Sequence, residues 1–210
     1  MSQLWIDIAA KADVALDQPK IDQLHAYLQL LAAANEKMNL TRIESPEAAE
    51  LLHVADSLTL LPFLPREPHS LADVGSGGGL PGLPLAIVRP DVRVTLIDAT
   101  LKKAAFLEQT AAQLGLKNVK VLPQRSELIR GPQWNIVTAR GLAPMEQLVL
   151  WCLPLVKPGG KLLAMKGPKG RDELPSAEPA IKHFRGLPAI VHEANLPGRS
   201  HIIIEIERRG

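Results

Sequence analysis

The run Asp73-Val74-Gly75-Ser76-Gly77-Gly78-Gly79 constrains this chain more than any other feature. It follows the short apolar segment Ser70 to Val74, which reads as a strand. Glycines let a backbone turn sharply and approach a ligand with no Cβ between them. In an open α/β sheet, ligands bind at the carboxyl ends of the strands, so this loop lies where a site belongs. Beyond it the pattern alternates. A helix is expected from about Pro84 to Val88, a strand from Arg93 to Asp98, and a helix from Lys102 to Leu114 closed by Gly115. Strands from Val119 to Leu122 and Ile136 to Ala139 follow, then a helix from Met145 to Leu155. Lys157-Pro158-Gly159-Gly160 turns the chain into a strand from Lys161 to Met165. Residues 166–180, rich in Gly, Pro and charge, read as a mobile surface loop. Two late strands, Ala189 to His192 and His201 to Ile206, have no helix between them, and Pro197-Gly198 marks their joining turn. Alternation predicts a parallel, doubly wound α/β sheet of Rossmann-like type, and the final pair predicts an antiparallel edge.

The first 65 or so residues read as helical. Ile21, Leu24, Leu28 and Leu31 recur at helical spacing, and Pro19 is placed to open that helix. Ser45-Pro46 is a second start signal, a serine cap followed by proline. Leu51, Leu52, Ala55, Leu58 and Leu61 then form a stripe, and Pro62 to Pro68 reads as a linker. The expected division is a helical N-terminal segment, 1–68, and a ligand-binding domain, 69–210. Charge divides at the same place: residues 1–68 hold 5 Lys/Arg against 10 Asp/Glu, residues 69–210 hold 19 against 12. A basic half points to a polyanionic partner, with an ordinarily solvated surface as the plain alternative. No apolar run reaches the roughly 18 residues of a membrane span, and no basic stretch precedes an apolar one at the N-terminus. The single cysteine, Cys152, leaves no internal disulfide and no cysteine metal cluster. A cytoplasmic, metal-free monomer without membrane attachment is expected.

Two cofactor types compete for the glycine loop. Gly77, Gly79 and Gly82 fit the dinucleotide spacing, whose purpose is to lay a pyrophosphate on a helix N-terminus. Asp73 two residues before Gly75, with Gly77 and Gly79, fits the spacing of S-adenosylmethionine enzymes. That cofactor carries a positive sulfonium and no phosphate, so a carboxylate beside the loop is useful. Asp98, at the end of the second strand, suits ribose hydroxyls in either case. Pro158-Gly159-Gly160 and the antiparallel edge favour the methyltransferase plan.

Absences narrow the acceptor. Methylation at cytosine C5 needs a nucleophilic cysteine, and Cys152 lies in apolar Trp151-Cys152-Leu153, where a buried structural thiol is expected. The loop after the fourth strand, Thr138-Ala139-Arg140-Gly141-Leu142-Ala143-Pro144, lacks the Asn/Asp-Pro-Pro-aromatic clamp of amino-group methylation. An acceptor with its own lone pair, such as guanine N7, needs neither device. His53, Asp56 and Ser57 lie within one helical turn and cannot converge as a hydrolytic triad; a helix-surface hydrogen-bond cluster is expected. Aromatic residues are only 3% of the chain, so RNA recognition would rest on shape and phosphates rather than base stacking.

Asn39-Leu40-Thr41, His53 with Asp56-Ser57-Leu58, Asp73 to Leu85, Thr95-Leu96-Ile97-Asp98 with Lys102-Lys103, Arg125-Ser126-Glu127, Ala139-Arg140 and Lys166-Gly167 follow one another in this chain. In that set, from about Leu28 to Ile206, the chain resembles the bacterial 16S ribosomal RNA guanine-N7 methyltransferases, the glucose-inhibited division protein B family. The resemblance implies a class I S-adenosylmethionine-dependent fold and methylation of a guanine N7 in the 530 loop of 16S ribosomal RNA, free or within the small ribosomal subunit. It implies cofactor contacts at Gly75, Leu80, Ser126, Glu127 and Arg140, joined by position with Asp73, Gly77, Gly79 and Asp98. Arg140 and Arg125 would serve the reaction, facing cofactor and RNA, and Lys166, Lys169 and Arg125 would meet RNA phosphate. Lys102 and Lys103 read as solvated. Where the family usually has alanine, this chain has Gly141, which would loosen the loop carrying Arg140. Two alternatives stay open: a cofactor-binding regulatory protein without activity, and a methyltransferase of another acceptor.

Overall fold

A computed structural model describes residues 2–210. Strands β1 (Ser70–Val74), β2 (Arg93–Ile97), β3 (Val119–Leu122), β4 (Trp134–Arg140), β5 (Val156–Lys166), β6 (Ile190–Glu193) and β7 (Ile202–Glu207) form one sheet in the order β3-β2-β1-β4-β5-β7-β6. The first five are parallel; β7 runs antiparallel to β5, and β6 antiparallel to β7. Strand order reverses between β1 and β4, which opens a crevice at their carboxyl ends.

Side chains alternate along each strand, so the sheet feeds two cores. Leu71, Leu96, Ile136 and Leu163 face one layer, built from α1 (Ser2–Ala10), α2 (Gln18–Met38), α5 (Gly82–Val88) and α6 (Leu101–Gln113). Ala72, Val137, Ala139 and Leu162 face the other, built from α7 (Met145–Cys152) and α8 (Leu174–His183). Trp5, Leu24, Tyr27 and Leu31 of the helical segment share the first core with the sheet.

The N-terminal start signals act as expected. Asp17 accepts the Lys20 N–H at 3.2 Å with Pro19 in the first turn of α2, and Ser45 accepts the Ala48 N–H at 3.1 Å with Pro46 next. The helix after Ser45 is not uniform. α3 (Pro46–Ala49) passes into a π-helical turn, Glu50–Ala55, and then α4 (Asp56–Leu58). The wider turn shifts the buried face, so His53, Val54, Ala55, Asp56, Ser57 and Leu58 are inside while Leu51 and Leu52 are only half-buried. Such turns are frequent at functional sites.

Residues 166–180 are not a loop. A 3-10 helix, Pro168–Glu173, leads into α8, which seats Ala177, Ala180 and Ile181 in the second core. Pro175 lies in its first turn, where a missing N–H does no harm, and the Gly/Pro content hid the helical period.

α2 also reaches the glycine loop. The buried Tyr27 hydroxyl donates to the Gly78 carbonyl at 2.8 Å, and a Cβ on Gly78 would stand 2.8 Å from Leu31 Cδ1. Tyr27→Phe strands that carbonyl and is expected to lower stability by about 1 kcal/mol, read by denaturant unfolding. An unchanged midpoint would mean that the loop does not lean on α2.

Candidate active site

Asp73 is fully buried at the end of β1. Its Oδ2 accepts the Gly82 N–H at the start of α5 at 3.0 Å, and Thr138 Oγ1 donates to Oδ1 at 3.3 Å. Burial pushes its pKa up to about 6, against the pull of the Gly82 N–H. Asp73 therefore lies beneath the loop and shapes it. Gly75 turns at φ +71°, and a Cβ there would stand 2.5 Å from Leu142 Cδ1. Gly79, at φ +95°, lets α5 pack close: a Cβ would stand 2.4 Å from Leu83 Cδ1. Leu80 is buried in the first core.

Five amides of this loop are used internally. Gly75 and Ser76 donate to the Ile97 carbonyl at 2.8 and 3.1 Å, and Gly79 and Leu80 to the Ser76 carbonyl at 2.7 and 3.1 Å. Gly77 donates to Asp98 Oδ2 at 2.9 Å. A pyrophosphate cradle offers such amides outward, so the dinucleotide reading loses its physical basis. Asp98 Oδ1 accepts the Thr100 N–H at 2.8 Å. A carboxylate has about four acceptor positions, so Asp98 keeps capacity for a diol.

Gly75, Asp98, Lys103, Arg125, Ser126 and Glu127 line a cavity of about 420 Å³, with Leu142 and Trp151 as its apolar wall. A second cavity, of about 330 Å³, is lined by Arg140, Lys166, Lys169 and Arg199 together with Asp56, Glu173 and His201. Gly141 borders both. Gly75, Asp98, Arg125, Ser126 and Glu127 thus come together in one cavity, and Arg140, Lys166 and Lys169 in its neighbour. Asp73, Gly77, Gly79 and Leu80 stand in the loop behind.

Arg140 ends β4 and is held from the N-terminal segment. Its Nη1 donates to Asp56 Oδ2 at 2.8 Å and to the Leu52 carbonyl at 3.0 Å. Burial and the Arg140 charge push the His53 pKa down to about 4, so its ring is neutral. His53 Nδ1 receives Arg140 Nη2 at 3.3 Å, and Nε2 faces Thr41 Oγ1 at 3.1 Å. The expected helix-surface cluster faces inward: His53, Asp56 and Ser57 are at most 2% exposed. Lys166 Nζ pairs with Glu173 at 2.7 Å and donates to the Ala143 carbonyl at 3.0 Å, whereas Lys169 and Arg125 are exposed. Cys152 is fully buried, and burial raises its thiol pKa, as a structural thiol requires.

Sequence reasoning missed Lys103, Leu142, Arg199 and His201 as wall residues. The fold gathers them from three separate segments: α6, the loop after β4 and the turn entering β7. Gly141 was noticed only as a departure; it adopts φ +61° with no atom within 4 Å of a Cβ, a backbone that suits glycine.

Strand order, internally bonded glycine loop and terminal β2 carboxylate define a class I S-adenosylmethionine-dependent methyltransferase. A methyltransferase structure from Aquifex aeolicus matches with TM-score 0.57 and 20% identity, covering 80% of this chain and 96% of that one. A ribosomal protein L11 methylase from Lactobacillus delbrueckii subsp. bulgaricus matches with TM-score 0.57 and 16% identity, covering 76% and 79%. At that identity the likeness is one of fold. The family described as rRNA small subunit methyltransferase G matches residues 20–202, and the chain belongs to it. Among relatives named Ribosomal RNA small subunit methyltransferase G, the Sorangium cellulosum protein is 48% identical over 174 residues, covering 80% of this chain and 73% of its own. The Staphylococcus carnosus protein is 40% identical over 204 residues, covering 92% and 85%. Among the described residues no helix is long and apolar enough to cross a membrane.

Two measurements test this geometry. The Asp73 pKa is raised in the fold, from an ordinary 3.8 to about 6, so its contribution to stability is full below pH 4 and is lost as pH rises through 6. Asp73→Asn should remove that gain: between pH 7 and pH 5 the wild-type melting temperature should shift upward relative to the variant's. Parallel curves would contradict a buried, proton-accepting Asp73. Gly75→Val forces a β-branched residue to positive φ and into Leu142, so S-adenosylmethionine binding should vanish in calorimetry while circular dichroism stays native. Retained affinity would place the cofactor elsewhere.

Proposed function

We propose that this chain transfers the methyl group of S-adenosylmethionine to N7 of a guanine in the 530 loop of 16S ribosomal RNA. One observation carries the reading: a cavity bearing Gly75 and Asp98 meets, at Gly141, a second cavity whose Arg140 and Lys166 are ion-paired to Asp56 and Glu173. Asp56 is engaged by Arg140, and Glu173 by Lys166 and the Met145 N–H at 2.7 Å. Both carboxylates are committed to ion pairs. Guanine N7 carries no proton, so no general base is required.

Bound S-adenosylmethionine supplies an electrophilic methyl group on a positive sulfonium. In the cofactor cavity Asp98 would take the ribose hydroxyls on its remaining lone pairs, and Ser126 and Glu127, which line the same cavity, would hold the rest of the cofactor. Arg140, in the second cavity, would orient the flipped guanosine through O6 or phosphate and not through N7, where a cation would oppose the charge arriving on the base. Alignment and exclusion of water supply the rate, with effects of roughly 7–11 kcal/mol available from proximity. Extruding the base opposes this by about a few kcal/mol. Exposed Lys169 and Arg125, with Lys166 nearer the cavity, meet phosphate. Residues 69–210 carry the cofactor and residues 1–68 brace it. The substrate is 16S rRNA, free or within the small subunit, met in the cytoplasm by a monomer without a metal.

Arg140→Ala should cut single-turnover methylation of small-subunit RNA strongly, and lysine should restore little, because a point charge does not reproduce a planar, multi-donor fork. From pH 6 to 9 the wild-type rate should show no titration of a catalytic base. A steep loss below neutrality, abolished by replacing one nearby His or carboxylate, would overturn this chemistry. Replacing Lys166 and Lys169 together by alanine should flatten the dependence of log RNA affinity on log salt while cofactor affinity holds. An unaltered slope would put the RNA surface elsewhere.

A further inference from the structure

We infer that Asp56 is a positioning residue of this reaction: it fixes Arg140 in the acceptor cavity and offsets its charge as the guanine becomes cationic. The inference rests on the acceptor reading of that cavity. Asp56 is 2% exposed and stands at the point where the π-helical turn passes into α4. Its Oδ2 takes the ion pair from Arg140 at 2.8 Å. Its Oδ1 has no hydrogen-bond partner among the described residues. That oxygen faces His201 Nδ1 at 3.4 Å and Arg199 Nε at 3.9 Å. A single carboxylate thus joins the N-terminal segment, the end of β4 and the chain entering β7.

The arrangement has a chemical use. A guanidinium has five N–H donors. Asp56, Leu52 and His53 engage three of Arg140's, leaving Nε–H and one Nη2–H for RNA. Methylation at N7 leaves the guanine positively charged. An unpaired arginine at that cavity would raise the barrier by repulsion, and a free one would sample other rotamers. Asp56 removes both problems without touching substrate. Glu173 stands in the same relation to Lys166, at 2.7 Å. Each half-buried cation of the cavity is thereby matched.

The test is a double-mutant cycle in single-turnover methylation of small-subunit RNA, with S-adenosylmethionine affinity measured by calorimetry. Asp56→Asn is isosteric and keeps an acceptor for Nη1. It should slow the chemical step by about tenfold or more, within the range of coupled neighbours, with cofactor affinity unchanged. In an Arg140→Ala background the same change should add little. A full, additive loss in that background would assign Asp56 a purely structural role and overturn the inference while leaving Arg140 in place. An unslowed Asp56→Asn would also overturn it. Undiminished Arg140→Ala activity would remove the acceptor reading of Arg140, and this inference with it. Should Asp56→Asn not fold, Asp56→Glu keeps the charge and puts the same question: its loss must likewise disappear when Arg140 is absent.

Discussion

The hydrogen bond from the Gly82 N–H to the buried carboxylate of Asp73, 3.0 Å long, is the constraint on which the site depends. It ties the end of β1 to the start of α5 and leaves the intervening residues one compact path. Within that path five of the loop's amides donate to the Ile97 and Ser76 carbonyls and to Asp98. A buried carboxylate without donors would be costly; here its donors are the structure it organises. The loop is thereby preorganised for a cofactor that needs shape and a diol acceptor rather than a phosphate cradle.

The N-terminal helices complete the site instead of decorating it. Tyr27 of α2 holds the Gly78 carbonyl behind the cofactor cavity. Leu52, His53 and Asp56 hold Arg140 in front of the acceptor cavity. Both contacts are buried or half-buried, so they are strengthened by a low local dielectric. The sheet provides the switch point, and the helical segment decides how its loops are posed.

Much of this was legible in the chain itself. β1 and β3 fall where apolar runs end in turn residues, Gly115 closes α6 at φ +67°, and Asp98 stands beside the glycine loop as its position implied. What escaped was what local pattern does not encode. α8 was hidden because Pro175, Pro179 and charged residues obscure a helix whose buried stripe is only Ala177, Ala180 and Ile181. His53 lies within the π-helical turn and Asp56 directly follows it, and both are buried where a regular helical reading of the sequence does not place them. Lys166 reads as a free cation until the helical turn after β5 brings Glu173 to it. Arg199 and His201 reach the cavity only through the antiparallel pairing of β7 with β5. Long-range placement, not residue type, was the missing information.

The central claim is chemical: the modified atom is guanine N7 in the 530 loop. It is tested most directly by treating small ribosomal subunits that lack the modification with this protein and methyl-labelled S-adenosylmethionine, then mapping N7-methylguanine along the 16S RNA by strand cleavage. The expected result is one labelled guanine, in the 530 loop, that becomes cleavable only after treatment. Label at a base nitrogen other than N7, at ribose or outside that loop would contradict the account.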